Sequence, residues 1–267
     1  MNGSGLTVRS PAKGRSRTRT RTRLKPISPA TLATLEVQSQ VFDAGPLSVL
    51  TVHRIRPVTE LDPEVSEPFG AQEAFASPRA DCIYVENLNV WLSRGAAGGN
   101  VGLVYSPPVG FGQGALPRVP SWYSPRAVCS AARCAQVLPD PATDHWEPAG
   151  PEVTVEHAVD LVDDVNGAGL LYFASFLSIV ERVQLRRWRS LGRSGRSFLE
   201  RRVSSFRICY LGNADLDTTL GVQLRTSRDP REAAREKSDL VVRDVRTDRT
   251  VAVVSSLHRT ISDADGA

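Results

Sequence analysis

The stretch 163–188, DDVNGAGLLYFASFLSIVERVQLRRW, constrains the fold most. An Asp-Asp-Val-Asn turn passes through Gly167 and Gly169 into a run of apolar residues. Leu170, Phe173, Phe176, Leu177, Val180, Val183 and Trp188 recur near i, i+3, i+4 spacing, which predicts a helix over 169–189. Leu171, Ala174 and Ile179 widen the apolar stripe over most of the circumference. Such a helix has no face suited to water, so other structure must wrap it. Arg186, Arg187 and Arg189 suit the negative end of the helix dipole, and Gly192 and Gly195 stop the helix.

An extended run, VTVEHAVDL at 153–161, precedes that helix. Further extended runs follow it at 201–211, 220–226 and 239–245, the last turning through 246–249 into TVAVVSSLHRT. Strand, helix, then several strands, with no βαβ alternation, predicts an α+β fold with an antiparallel sheet. In the first half, PLSVLTVHRIRP at 46–57 alternates as a half-buried strand does. A second strand covers 81–94, DCIYVENLNVWLSR. Its Ile83, Val85, Leu88, Val90 and Leu92 share a face only if a bulge near Asn87 shifts the parity. The turn GAAGGN then leads to 101–105 as a hairpin partner. Beyond it the chain is rich in Pro and Gly, which forbids long regular elements. Trp122, Tyr123 and Trp146 pin this region to the body, so 111–150 reads as an ordered connector.

The 267 residues suffice for one large or two small domains, and 41% hydrophobic with 23% charged residues is ordinary for a soluble chain. No run of about 18 apolar residues predicts a membrane span. The basic N-terminus has no apolar segment after it, so no signal peptide is expected and the location reads as cytoplasmic. Cys82, Cys129, Cys134 and Cys209 are scattered, and Cys129 and Cys134 stand too far apart for CxxC. No His/Cys cluster completes a metal site, so the thiols read as reduced and no metal is expected. Arg9, Lys13, Arg15, Arg17, Arg19, Arg21, Arg23 and Lys25 outnumber the formal net charge of +4, leaving the remainder acidic. Their alternation with Ser and Thr carries neither aromatics nor helical periodicity. Residues 1–27 therefore read as a disordered basic tail, dispensable for folding, and nucleic acid is not expected as a partner.

The second half resembles a hot-dog domain of the acyl-thioesterase type, in which the motif is roughly Asp-x-Asp-x-x-Gly-x-x-Tyr-His followed by a helical Glu. Asp164, Asn166, Gly169, Tyr172 and Phe173 occupy the matching places, and Glu181 the helical one. The resemblance implies an antiparallel sheet wrapped around the long helix. It places Asn166 where hydrolytic members carry the Asp that orients water, and Phe173 where they carry His. An amide cannot take a proton from water at neutral pH, so general-base hydrolysis is disfavoured. An amide can still donate to a thioester or enolate oxygen.

A wider match covers both halves. YVENLNVW, NVGLVYSPPVGF and DVNGAGLLYFASF together resemble the double hot-dog family of polyketide-pathway proteins, typified by the acyltransferase/decarboxylase of leinamycin biosynthesis. That resemblance implies a tandem hot-dog over about 46–261, with an acyl group moved from coenzyme A to an acyl carrier protein. It implies no tightly bound cofactor, with the coenzyme A thioester as substrate, and the scaffold allows a homodimer. The first hot-dog half, 28–110, reads as truncated or diverged, because no long helix fits before residue 46 and no Tyr precedes Tyr84. The second domain covers 151–262.

Two readings stand for each site candidate. Asn166 binds the thioester carbonyl, or caps the following helix. Tyr172 places its hydroxyl in the acyl pocket, or is a buried Tyr bonded to backbone. Gly167 and Gly169 let a thioester approach the helix N-terminus, or only permit a tight turn. Asp164 contacts substrate, or is structural beside a solvated Asp163. Asn87 and Asn89 face the pocket, or are edge-strand amides. The readings for the whole chain are an acyltransferase/decarboxylase-like enzyme, a non-catalytic module that binds carrier protein or polyketide, and a thioesterase weakened by Asn166 and Phe173.

Overall fold

The computed structural model describes residues 2–9 (backbone alone), 34–58, 67–94, 100, 103–106, 110, 114–139, 146–167 and 169–260. Alternation builds the second half. In β9 (Thr219–Asp229), β10 (Glu232–Asp244) and β11 (Thr250–Arg259), Leu220, Val222, Leu224, Leu240, Val242 and Val254 point to one face and are buried. Helix α2 (Phe173–Ser190) lies on that face and buries Phe176, Ile179, Val180 and Val183 against it. The sequence reading of a wrapped helix holds, with its start moved from 169 to Phe173. Residues 169–172 go instead into a turn and a bridge between Val165 and Leu171.

The remaining strands are β1 (Asn2–Arg9), β2 (Leu35–Asp43), β3 (Ser48–Pro57), β4 (Ile83–Arg94), β5 (Leu103–Tyr105), β6 (Glu147–Pro148), β7 (Val153–Ala158) and β8 (Arg202–Tyr210). They join β9–β11 in one 11-stranded sheet of order β2-β3-β4-β1-β8-β11-β10-β9-β6, with β5 on β4 and β7 on β9. Every strand pair is antiparallel. The expected hairpin of β4 with the 101–105 region is present as β4–β5.

β1 corrects the reading of a disordered tail. It pairs with β4 along its whole length and with β8 through Leu6–Arg9, and so joins the two halves. Apolar content is a poor guide for such a strand, because its pairing is carried by backbone groups. The rest of the expected tail, 10–27, lies outside the described residues.

Register also corrects the bulge near Asn87, since β4 pairs with β1 and with β3 without a shift. Its buried face therefore carries Tyr84, Glu86 and Leu88, while Ile83 is exposed. Residues paired across a sheet project from the same face. Glu86 pairs with Thr7, and Thr7 with Arg207; Asn87 pairs with Leu6, and Leu6 with Ile208. Ile208 belongs to the α2 core. The first half packs on the opposite face, where Phe42, Leu50, Val52 and Tyr84 meet Phe69 and Phe75. Phe75 sits in a five-residue helical turn, Gln72–Ala76, where a full hot-dog half would carry a long helix.

The Pro/Gly-rich connector holds a regular element after all, α1 (Pro125–Ala135). Ser124 caps it by accepting from Ala127 N–H at 3.2 Å, and Pro125 takes the first helical position, where its missing N–H costs nothing. α1 covers the face of β8 and β11 away from α2, with Ala132 against Cys209 and Val253. Cys129 and Cys209, 80 residues apart, form a disulfide there. This corrects the expectation that all thiols are reduced; Cys82 and Cys134 are free. A short helix, α3 (Gly195–Glu200), follows α2, so Gly195 opens an element instead of ending one. No helix among the described residues is long and apolar enough to cross a membrane.

Candidate functional site

The turn before α2 is built from its own polar groups. Asn166 N–H donates to Leu170 O at 2.9 Å, Leu170 N–H donates to Asn166 Oδ1 at 3.1 Å, and Gly169 N–H donates to Asn166 O at 2.8 Å. Gly169 has φ +70°, and a Cβ there would stand 3.3 Å from Arg94 Nη2. Its role in the turn is thus conformational. A Cβ on Gly167 would meet nothing within 4 Å.

Two asparagines that the sequence reading missed hold this turn to the sheet. Asn100 is buried, and its Nδ2 donates to Gly169 O at 2.8 Å and to Ala214 O at 3.0 Å. Asn213 accepts from Leu171 N–H at 2.9 Å and donates to Leu171 O at 3.1 Å. Neither belongs to a pattern of local spacing, because each partner lies 42 residues or more away in the chain.

Asp164 is structural. Its Oδ2 accepts from Asp160 N–H at 2.9 Å and meets His157 Nε2 at 2.7 Å, and it is buried beneath the turn. It does not line the cavity described next. Nor do Asn87 and Asn89: Asn89 Nδ2 donates to Asn87 O and Thr51 Oγ1, and Asn87 Oδ1 is enclosed without a partner.

The C-terminal ends of β4 and β8, the helix α1 and the start of α2 enclose a cavity of about 650 Å³. This is the size range of small-molecule sites. Leu88, Val90, Leu92, Leu103, Leu170 and Phe176 give it an apolar lining. Of the expected site residues it collects Asn166 and Tyr172. The Tyr172 ring, partly exposed, packs against Phe173 at 4.5 Å, and its hydroxyl has no hydrogen-bond partner among the described residues. Tyr210 donates to Phe173 O at 3.1 Å, and burial pushes its phenol well above the usual range. No side chain caps the first turn of α2; Ser175 N–H donates to Tyr172 O at 3.0 Å, and the N–H groups of Phe173 and Ala174 have no partner among the described residues.

The charge of the lining is one-sided. Arg126, Arg133 and Arg249 line it, and no described lining residue is Asp, Glu or His. Arg126 is set by Ser48 Oγ, which accepts from its Nη2 at 2.7 Å. Arg249 donates to Asn213 O at 2.6 Å, and it passes so close to Gly212 that a Cβ there would collide with its Nη1. Arg126 and Arg133 are seven apart on α1, hence on one helical face. A helical reading of 125–135 would have revealed them. Among the described residues the lining holds no carboxylate or imidazole, and so no metal ligand of those types and no general base at neutral pH. It offers cations, amides and phenols.

Residues 15–139 match the family described as LnmK N-terminal Hot Dog Fold domain. This part of the chain is similar to that hot-dog domain over 125 of its 267 residues. The matched stretch runs past both ends of the 28–110 unit read from the sequence. It includes α1, so Arg126 and Arg133, which line the cavity, lie within the matched stretch. No curated protein matches the chain. Solved structures with similarity include a 1,4-dihydroxy-2-naphthoyl-CoA thioesterase from Synechocystis, at 21% identity and TM-score 0.38, over 42% of this chain and 84% of that one. A 12:0-ACP thioesterase from Umbellularia californica aligns at 12% identity and TM-score 0.48, over 98% of this chain and 73% of that one. A putative oleoyl thioesterase from Lactobacillus plantarum aligns at 10% identity and TM-score 0.46, over 98% and 77%. The chain has an α+β hot-dog fold.

Proposed function

We propose that the chain handles an acyl thioester in the 650 Å³ cavity and acts on it without a general base, as an acyltransferase or decarboxylase. The observation that carries this reading is the lining itself: among the described residues, an apolar interior, three arginines and no carboxylate or imidazole. Hydrolysis would need a group to take a proton from water. Loss of carbon dioxide from a malonyl-type thioester does not. The C–C bond to the carboxylate breaks, its electron pair moves onto the thioester oxygen as an enolate, and donors stabilise that oxygen. The arginines favour a substrate that carries negative charge, in a carboxylated acyl group or in the phosphates of coenzyme A. Phe173, the first residue of α2, lines the cavity beside Tyr172, whose hydroxyl, without a partner among the described residues, suits acyl binding or transfer. In this reading Asn166 shapes the turn with its carboxamide oxygen, and an acyl carrier protein is the acceptor.

The test is mass spectrometry of the full chain and a panel of carrier proteins with acetyl-, malonyl- and methylmalonyl-coenzyme A. Acylated carrier protein or released carbon dioxide supports the proposal, and Arg126→Ala and Arg249→Met should each lower turnover by about 10-fold or more. Rapid hydrolysis to free acid would overturn it in favour of a thioesterase. Binding without turnover would favour the second reading, a carrier-protein or polyketide binding module. That reading is favoured by one observation, the five-residue helical turn standing where a hot-dog helix would be.

A further inference from the structure

A second, smaller cavity lies at the opposite end of α2. The helix has 18 residues, so its ends are roughly 27 Å apart at about 1.5 Å per residue. Beneath its last turns the sheet changes character. The face that carries Leu224 and Leu240 continues by strict alternation into Thr226, Ser238, Glu236 and His258. Ser238 pairs with Thr226, Glu236 pairs with His258, and all four are buried. The helix places Gln184 and Arg187 opposite them, three residues apart and therefore on one face, and these are buried as well.

The hydrogen bonds of this cluster do not close. Gln184 Nε2 and Arg187 Nε are fully enclosed and make none, while His258 Nε2 stands 3.4 Å from Glu236 Oε2. These residues line a cavity of about 20 Å³, room for one atom of water or halide size. The charges do not close either. Arg193 holds Glu236 through both terminal nitrogens, at 2.6 and 2.9 Å, and Arg201 reaches Glu181 at 3.3 Å. Arg187 has the carbonyl of Ala149 at 3.0 Å and no carboxylate partner among the described residues. The carbonyls of Arg187, Trp188 and Arg189 at the end of α2 accept from the N–H groups of Leu191, Gly192 and Arg193.

We infer that this cavity is a binding site for one small anion of halide size, held between Arg187 Nε and Gln184 Nε2, with the hydroxyls of Ser238 and Thr226 beside it. A buried donor without an acceptor and a buried cation without a counter-charge are both strongly unfavourable. One anion answers both. A water molecule would accept the two hydrogen bonds and leave the charge of Arg187 uncompensated. The site is independent of the acyl-thioester proposal, since it shares no residue with the larger cavity.

The test uses the full chain in sodium chloride, sodium bromide and sodium gluconate at equal ionic strength, gluconate being too large to enter. Crystals grown in bromide should show an anomalous peak within hydrogen-bonding distance of both nitrogens. The melting temperature should rise by about 2–4 °C in chloride or bromide over gluconate. Arg187→Met and Gln184→Leu should each abolish that difference. If Arg187→Met does not fold, Gln184→Leu, which keeps the charge, carries the comparison. A water molecule with no anomalous signal would overturn the assignment, as would equal melting temperatures in all three salts. A bromide peak at molar concentration with no thermal difference would mean an adventitious ion only.

Discussion

Arg193 and Glu236 form a two-pronged ion pair, with Nη1 at 2.9 Å from Oε2 and Nη2 at 2.6 Å from Oε1. Burial alone pushes the Glu236 carboxyl upward, but the neighbouring His258 and the Arg193 guanidinium outweigh it and hold the pKa at about 2, below its ordinary 4.5. A folded-state pKa below the unfolded one gives stability that is complete above the unfolded value and lost as pH falls toward the folded one. The melting temperature should therefore drop between about pH 5 and pH 2. Glu236→Gln should lower stability at pH 7 by about 2–3 kcal/mol and flatten that acid limb. Thermal melts over pH 2–8 check both; parallel curves for the two proteins would exclude Glu236 as the source.

Asn100 bridges the turn before α2 to the β8 side of the cavity through Gly169 O and Ala214 O. Asn100→Ala removes the partner of the buried Ala214 carbonyl and of the half-buried Gly169 carbonyl and should cost about 1–3 kcal/mol. Asn100→Asp should be worse, because a carboxylate would face the same two oxygens. Urea titrations give the stabilities, and calorimetry with an acyl-coenzyme A shows whether affinity falls with the turn.

The disulfide Cys129–Cys209 closes a loop of 80 residues and fastens α1 to β8. Cys129→Ser with Cys209→Ser should lower stability by about 2–4 kcal/mol. Treatment of the native chain with reductant should give the same loss and should leave the double variant unchanged. Denaturant curves with and without dithiothreitol measure this.

Removing Asn2–Arg9 takes away the strand between β4 and β8 and bares one edge of each. The truncated chain should melt in two transitions instead of one, and amide exchange should quicken in β4 and β8 while the β9–β10 pair stays protected. A single unchanged transition would mean that the seam holds without this strand.

The second half was legible because its signals are local. Helix α2 shows itself in the spacing of Phe176, Val180 and Val183, and strands β9–β11 in alternation. The first half was misread where parity was decided by tertiary context. Glu86 is buried with Tyr123 as its hydrogen-bond partner, and only that contact reveals that Tyr84 and Leu88, not Ile83 and Val85, face the core. The candidate site was legible in part. The Asn166–Tyr172 turn does border the cavity, but Arg126, Arg249, Asn100 and Asn213 reach it from segments far apart in sequence. The structural alternative for Asp164 could not be decided from sequence, because its partner, His157, lies across the strand-to-turn junction, where no spacing rule joins them.

The position of β1 has a consequence for the order of events during synthesis. Its first partner, β4, follows within about 90 residues, but its second, β8, lies roughly 200 residues away. At about 5–20 residues per second, a ribosome needs on the order of 10–40 s to deliver it. During that interval the nascent first half presents an unpaired strand edge, the kind of surface through which chains join one another. The yield of soluble protein should thus depend on translation speed and chaperone supply more than the stability of the finished sheet would indicate.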